Sequence, residues 1–134
     1  MKDLTAREGD LIKNIQVELS KVGARLFRNN TGQAWVGKVL QIKAVDSGQF
    51  KPGSYIALEH ARPFHAGLCE GSSDLIGWSD DGRFVAIEVK TKNTRRTDAQ
   101  RNFIHQVNLA GGIAFFCYSV EEAIENYKKG IQKT

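Results

Sequence analysis

The sequence predicts an α/β fold, a mixed β-sheet flanked by helices. Three observations carry that expectation. Residues 73–90 read as two extended runs joined by a tight turn, a β-hairpin. Residues 84–118 read as strand, helix, strand, long enough for a parallel crossover. The N-terminal region carries apolar residues at helical spacing.

The elements follow in order. Thr5-Ala-Arg-Glu8 has capping-box form with Leu4 in the staple position before it. Leu11, Ile12, Ile15, Leu19 and Val22 then recur at helical spacing, and Gly23 ends the run. At about 100° per residue, Glu18 shares the sector of Leu11, Ile15 and Val22. An acid on a buried helix face is costly unless it is paired or bound to a metal. Glu18 is therefore a candidate site residue; its other reading is an edge position reaching water.

Residues 24–30 predict a strand, with Arg25 and Phe27 on one face and Leu26 and Arg28 on the other. Asn29 to Gly32 is turn-like. Residues 34–44 form a second extended run, Lys51-Pro-Gly53 a turn, and residues 55–58 a short strand. Residues 62–67, with Pro63 and Gly67, predict a loop.

Residues 73–78 and 84–90 are the hairpin strands. A three-residue loop, Asp80-Asp81-Gly82 with Gly82 left-handed, pairs Ser79 with Arg83. Counting back along that ladder places Asp74 opposite Glu88. Alternation then puts Glu88 and Lys90 on the face opposite Val85, Ile87 and Val89. Asp74, Glu88 and Lys90 thus meet on one side of one sheet, an arrangement that a one-residue slip would destroy.

Thr97-Asp-Ala-Gln100 again has capping-box form, opening a helix whose stripe is Gln100, Phe103, Ile104 and Val107. Gly111-Gly112 ends it. Residues 113–118 predict a buried strand. Ser119 caps a last helix carrying Ala123, Ile124 and Tyr127, which Gly130 ends.

A length of 134 residues suits one domain, residues 1–134, with one core. Apolar residues make up 41% and charged residues 25%, as in soluble globular proteins. The start of the chain lacks a signal-peptide apolar region, and no run approaches a membrane span, so a cytoplasmic location is expected. Cys69 and Cys117 lie far apart and outside any zinc spacing, and read as reduced, partly buried thiols. The net charge of +4 is concentrated: residues 90–101 hold Lys90, Lys92, Arg95, Arg96 and Arg101 against Asp98 alone. Such a cluster points to phosphate contact. Lys92, Arg95, Arg96 and Arg101 are the candidate DNA-binding residues.

Two carboxylates and an ammonium in this pattern suit metal-assisted phosphodiester hydrolysis. Magnesium takes oxygen ligands and retains several waters. Asp74, Glu88 and the Val89 backbone carbonyl could hold it, with manganese able to substitute. The cation acidifies water and offsets the charge that grows at phosphorus. Lys90 would orient the attacking water or stabilise the nonbridging oxygens. Each part has a plainer reading: Glu88-Val-Lys90 as a surface ion pair, Asp74 as a strand cap, and Gln100 as a box residue bonding back to Thr97.

Gly71-Ser-Ser-Asp74-Leu-Ile-Gly77, Ile87-Glu-Val-Lys90-Thr91, Thr97-x-x-Gln100-x-x-Phe103 and Gly111-Gly112-x-Ala114 together resemble the virus-type replication-repair nuclease (VRR-NUC) domain, across roughly residues 5–118. That family is part of the PD-(D/E)xK superfamily, so the resemblance implies a restriction-endonuclease-like core. It implies Asp74 and Glu88 as metal-binding acids and Lys90 as the catalytic lysine. Gln100 would be the helix glutamine holding Lys90 or the water, and Glu18 the first-helix acid. Ser73 stands where the superfamily name has proline. Small stand-alone members look like phage or prophage proteins and resemble Holliday junction resolvases acting as homodimers. The expectation is a magnesium-dependent, structure-selective endodeoxyribonuclease. The alternatives are a flap or linear-duplex nuclease with little junction preference, and a non-catalytic DNA-binding module. Clustered acids argue against the last, since without a metal they would repel phosphate.

Overall fold

A computed structural model describes residues 4–40 and 56–133, with side chains from residue 7 onward. The chain divides into two compact units, Gly32–Ala66 and the remainder.

The larger unit has the expected mixed sheet. Its elements are α1 (Leu4–Ser20), β1 (Arg25–Arg28), β4 (Leu75–Trp78), β5 (Phe84–Val89), α2 (Asp98–Leu109), β6 (Ile113–Cys117) and α3 (Val120–Gln132). The strand order is β1-β4-β5-β6. β4 runs antiparallel to β1 and β5, and β5 runs parallel to β6 through the α2 crossover.

The alternation along β5 divides two apolar layers. Val85, Ile87 and Val89 pack with Ile12, Ile15 and Leu19 of α1 and with Ala123 and Tyr127 of α3. Ala86 faces the other way and packs with Ile104 of α2 and Ala114. Every residue from Val85 to Lys90 is buried, as expected of a central strand covered on both faces.

The hairpin has the expected register. Trp78 pairs with Phe84 and Leu75 with Ile87. Ser79 N donates to Arg83 O at 2.9 Å. Gly82 adopts φ +84°, the left-handed position that this loop needs and that favours glycine. Continuing the ladder one step beyond β4 sets Asp74 against Glu88.

Two expectations here need correction. Gly130 does not end α3, which continues to Gln132. A Cβ at Gly130 would come within 2.5 Å of Ile113 Cγ2, so the glycine is a packing residue that lets the helix lie close to β6. Cys117 is buried as expected, but Cys69 is exposed. The box at Thr5 and the staple at Leu4 involve side chains outside the described residues.

The smaller unit is a two-stranded antiparallel ribbon of β2 (Gly32–Leu40) and β3 (Ala57–Ala66). Residues 62–66, expected in a loop, are strand. Pro63 is tolerated opposite Trp35 because β3 is an edge strand, where a missing N–H need cost no ladder bond. The ladder shifts between Val36 and Lys38, and His60 takes φ +54° within that bulge. The expected turn at Lys51-Pro-Gly53, residues 41–44 of the second extended run and the start of the 55–58 strand fall outside the described residues. No described helix is long and apolar enough to cross a membrane.

Candidate active site

The candidate site lies where β4, β5 and the start of α2 converge. Asp74 stands just before β4. Its Oδ2 accepts from Val89 N at 2.9 Å, which fixes the carboxylate beside β5. Its own carbonyl accepts from Asn29 N at 2.8 Å.

Glu88 points to the α2 side of the sheet and is 4% exposed. Burial and the neighbouring Asp74 carboxylate push its pKa up to about 8, while Lys90 pulls the other way. Its two oxygens differ. Oε1 accepts from Gln100 Nε2 at 3.0 Å and lies 3.8 Å from Lys90 Nζ. Oε2 is buried and has no hydrogen-bond partner among the described residues. A buried carboxylate oxygen without a partner is costly; a proton shared with Asp74 would satisfy it, and so would a cation bound in the proton's place. The half-buried Asp74 carboxylate beside the buried Glu88 raises the same demand, because the pair cannot both be charged cheaply without a counter-charge.

Among the described residues, no three His, Cys, Asp or Glu side chains cluster as a metal site. A cation would therefore rest on Asp74, Glu88, a backbone carbonyl and water. That sparse oxygen set suits magnesium, which keeps several waters. Val89 enters the site visibly through its N–H, with its carbonyl as the proposed ligand atom.

Lys90 is 5% exposed, and its Nζ donates to Arg95 O at 3.0 Å. The lysine thus ties the end of β5 to the basic loop. Gln100 does not bond to Lys90, one of the two partners that the resemblance implied for it, the other being the water. Its Oε1 accepts from Thr97 N at 3.0 Å, completing the capping box, and its Nε2 serves Glu88. One side chain thus closes the helix cap that the sequence offered and also bonds to Glu88, a partner that the sequence did not offer.

Glu18 does not join this group. It sits on α1, which packs on the sheet face opposite the one carrying Glu88. Its side chain is 38% exposed and meets Lys21 Nζ at 2.8 Å. Helix phase placed Glu18 near the apolar stripe, but the buried stripe is Ile12, Ile15 and Leu19, and Val22 lies outside the helix and exposed. Glu18 is a rim acid that reaches water.

The basic residues divide. Arg95, Arg96 and Arg101 line a shallow surface concavity with Thr97 and Asp98 at the start of α2. Lys92 is exposed nearby in sequence. Arg101 pairs with Asp98 at 3.1 Å on the surface. The Arg96 guanidinium lies 4.3 Å from the centroid of the Phe116 ring, so part of its work is structural.

Sequence reasoning missed Asn29, which it placed in a turn. Asn29 is buried, and its Nδ2 donates to Ser72 Oγ at 2.7 Å and Ser73 O at 2.9 Å. Its Oδ1 accepts from Leu68 N at 3.1 Å. It fastens the loop that delivers Asp74. The only local signal was an asparagine directly after a strand.

A family model described as the VRR-NUC domain matches residues 55–121, half of the chain. The match takes in Asp74, Glu88, Lys90, Gln100 and the basic loop, and leaves Glu18 outside. No curated protein matches the chain significantly.

Proposed function

The chain belongs to the VRR-NUC domain family and is a nuclease by that membership; from that premise we propose that it is a magnesium-dependent, structure-selective endodeoxyribonuclease, resembling Holliday junction resolvases and acting as a homodimer. Residues 1–134 are read as a single nuclease domain, of the stand-alone phage or prophage type, working in bacterial or phage-infected host cytoplasm. The observation that carries the reading is the half-buried Asp74 beside the buried Glu88, whose Oε2 has no hydrogen-bond partner among the described residues, next to Lys90.

Asp74, Glu88 and the Val89 carbonyl would hold the divalent cation, magnesium or manganese. When bound, it supplies the counter-charge the two acids need, acidifies water and offsets charge on the phosphate. The chain's own groups do the remaining work. Gln100 bonds to Glu88 Oε1, leaving Oε2 as the atom that would hold the cation. The Lys90 ammonium would stabilise a nonbridging phosphate oxygen or orient the attacking water. Its bond to Arg95 O gives it a defined position beside the loop that meets the DNA backbone. Lys92, Arg95, Arg96 and Arg101 would bind phosphates along the strand, a contact with little base preference. Glu18, on the opposite face of the sheet and paired with Lys21, takes no part in this reading.

A homodimer would set two such sites against opposite strands of a four-way junction. The test is cleavage with magnesium on a four-way junction, a flap, a splayed arm and linear duplex, with light scattering of the same sample. Paired, ligatable nicks in the junction by a dimer are expected. Equal cutting of all four substrates would favour a general nuclease. Binding without cutting in either magnesium or manganese would leave a DNA-binding module. Paired nicks from a monomer would remove the homodimer from the reading.

A further inference from the structure

Both edges of the larger unit's sheet are blunted by side chains. On β1, Gln16 Nε2 donates to Leu26 O at 2.8 Å. On β6, Asn108 Nδ2 donates to Ala114 O at 2.9 Å, and its Oδ1 accepts from Ala114 N at 3.0 Å, so the side chain acts as one more strand residue. Just beyond, Glu122 Oε2 accepts from Tyr118 N at 3.2 Å. An open strand edge is a template for another chain, and these contacts occupy its groups.

The β2–β3 ribbon is treated differently. A two-stranded ribbon is marginal by itself in water, so its exposed strands call for a partner. The outer edge of β3 is interrupted by Pro63 and by the bulge at His60. β2 has neither interruption. Its nine residues include one charge, Lys38, and among the described residues no side chain hydrogen-bonds to its backbone. Trp35 and Val39 share one face of the ribbon and are 55% and 65% exposed.

We propose that β2 pairs antiparallel with β2 of a second copy about a two-fold axis, joining two ribbons into one four-stranded sheet; this rests on the homodimer reading and gives it an interface. Such a contact is isologous, so the edge must suit itself. Centred on Val36, the pairing sets Lys38 against Ala34 and Trp35 against Gly37. No lysine faces lysine, a juxtaposition that would be destabilising. The indole lies beside a residue with no side chain. At about 3.4 Å per residue the edge is roughly 30 Å long. With its flanking apolar side chains, that length suits a standard interface of about 800 Å² per partner. The described ribbon carries Lys38 and Arg62 against Glu59, too little positive charge for a phosphate surface, which favours a protein partner over DNA.

The test combines sedimentation with a symmetry-specific cross-link. In a Cys69→Ser background, Val36→Cys places each new thiol at the axis opposite its own copy. Antiparallel neighbours lie about 4.5–5.5 Å apart at Cα, within disulfide reach. Mild oxidation should give a covalent dimer, and Lys128→Cys in the same background should not. Trp35→Lys with Val39→Lys should sediment as a monomer, keep its circular dichroism and still cut linear duplex, while losing paired junction nicks. A wild-type monomer at micromolar concentration overturns this interface and the homodimer together. A dimer that survives the double-lysine change and does not cross-link at position 36 overturns the β2 interface alone. A double-lysine variant that stays dimeric but loses DNA binding would assign the ribbon to DNA and also overturn it.

Discussion

Gln100 Nε2 donates to Glu88 Oε1 at 3.0 Å while the same side chain closes the α2 capping box at Thr97. Helix initiation and carboxylate orientation are thereby one structural event. Orienting partners of metal-binding groups are commonly worth 10–100-fold in activity. Gln100→Ala should lower cleavage by about that factor while DNA binding holds. It also removes part of a helix cap, so Thr97→Ala is the control. That change costs about 1 kcal/mol of stability but spares the bond to Glu88. Equal loss of cleavage in the two variants, measured well below both melting temperatures, would reduce Gln100 to a capping residue.

Lys90 is buried, 3.8 Å from Glu88 and bonded to Arg95 O. Lys90→Ala should cut the cleavage rate by about 10²–10³ or more, since in the proposed reading it removes a preorganised charge at the phosphate. Binding to the same DNA, measured by anisotropy, should change little. Loss of binding in proportion to cleavage would mark Lys90 as a phosphate contact or as the anchor of the basic loop.

Arg95 and Arg101 present their side chains at the surface, whereas Arg96 also covers Phe116. Each phosphate contact removed should flatten the slope of log affinity against log salt by about 0.9. Arg95→Ala and Arg101→Ala should do so on every DNA structure tested. Arg96→Ala should in addition lower the melting temperature, since a cation over an aromatic face contributes about 0.5–1 kcal/mol. An unchanged salt slope in all three would remove this concavity from the DNA interface.

The legible part of the site was the part controlled by short-range geometry. A three-residue turn with Gly82 determines the hairpin register, and register determines that Asp74 meets Glu88. The α2 box was visible in Thr97 and Gln100, though the second bond of Gln100 depends on where the helix docks. Glu18 was misjudged because helix phase ranks positions around an axis without saying which sheet face the helix covers. Residues 62–66 looked like a loop because Pro63 breaks most strands, and nothing local announces an edge strand whose partner lies some thirty residues earlier. Asn29 was hidden for a related reason: its partners at residues 68–73 come near only after β1 and β4 pair.

Glu88 makes the metal-free protein sensitive to pH. Burial and Asp74 raise its carboxyl from 4.5 to about 8. The folded state then holds a proton that the unfolded chain releases above its lower pKa. The stability contributed by that proton is fully present below pH 4.5 and is lost as the pH rises through about 8. In chelator, the melting temperature of the wild type should fall over this interval more than that of Glu88→Gln. In the proposed reading magnesium takes the proton's place as counter-charge, and it should raise the melting temperature most at the upper end. An equal magnesium shift in Glu88→Gln would place the cation elsewhere.

Arg83 holds the far end of the fold. Its Nη1 donates to Gly130 O at 2.9 Å and Lys133 O at 2.7 Å, and its Nη2 to Ile131 O at 3.0 Å. The guanidinium thus satisfies carbonyls at the α3 C-terminus and places positive charge at the negative end of the helix. Asp81 Oδ2 accepts from Nε at 2.9 Å and orients the group. Hydrogen bonds to a charged donor contribute about 1.5–3 kcal/mol, and Arg83→Ala should destabilise the protein by that order. Arg83→Lys should recover only part of it, because an ammonium cannot span three carbonyls as a planar fork does. Urea unfolding checks both, with an unchanged m-value showing that stability alone has moved. Cleavage well below the melting temperature should stay at the wild-type rate, since Arg83 and Glu88 lie at opposite ends of β5. A specific loss of activity there would mean that α3 is coupled to the site through the sheet.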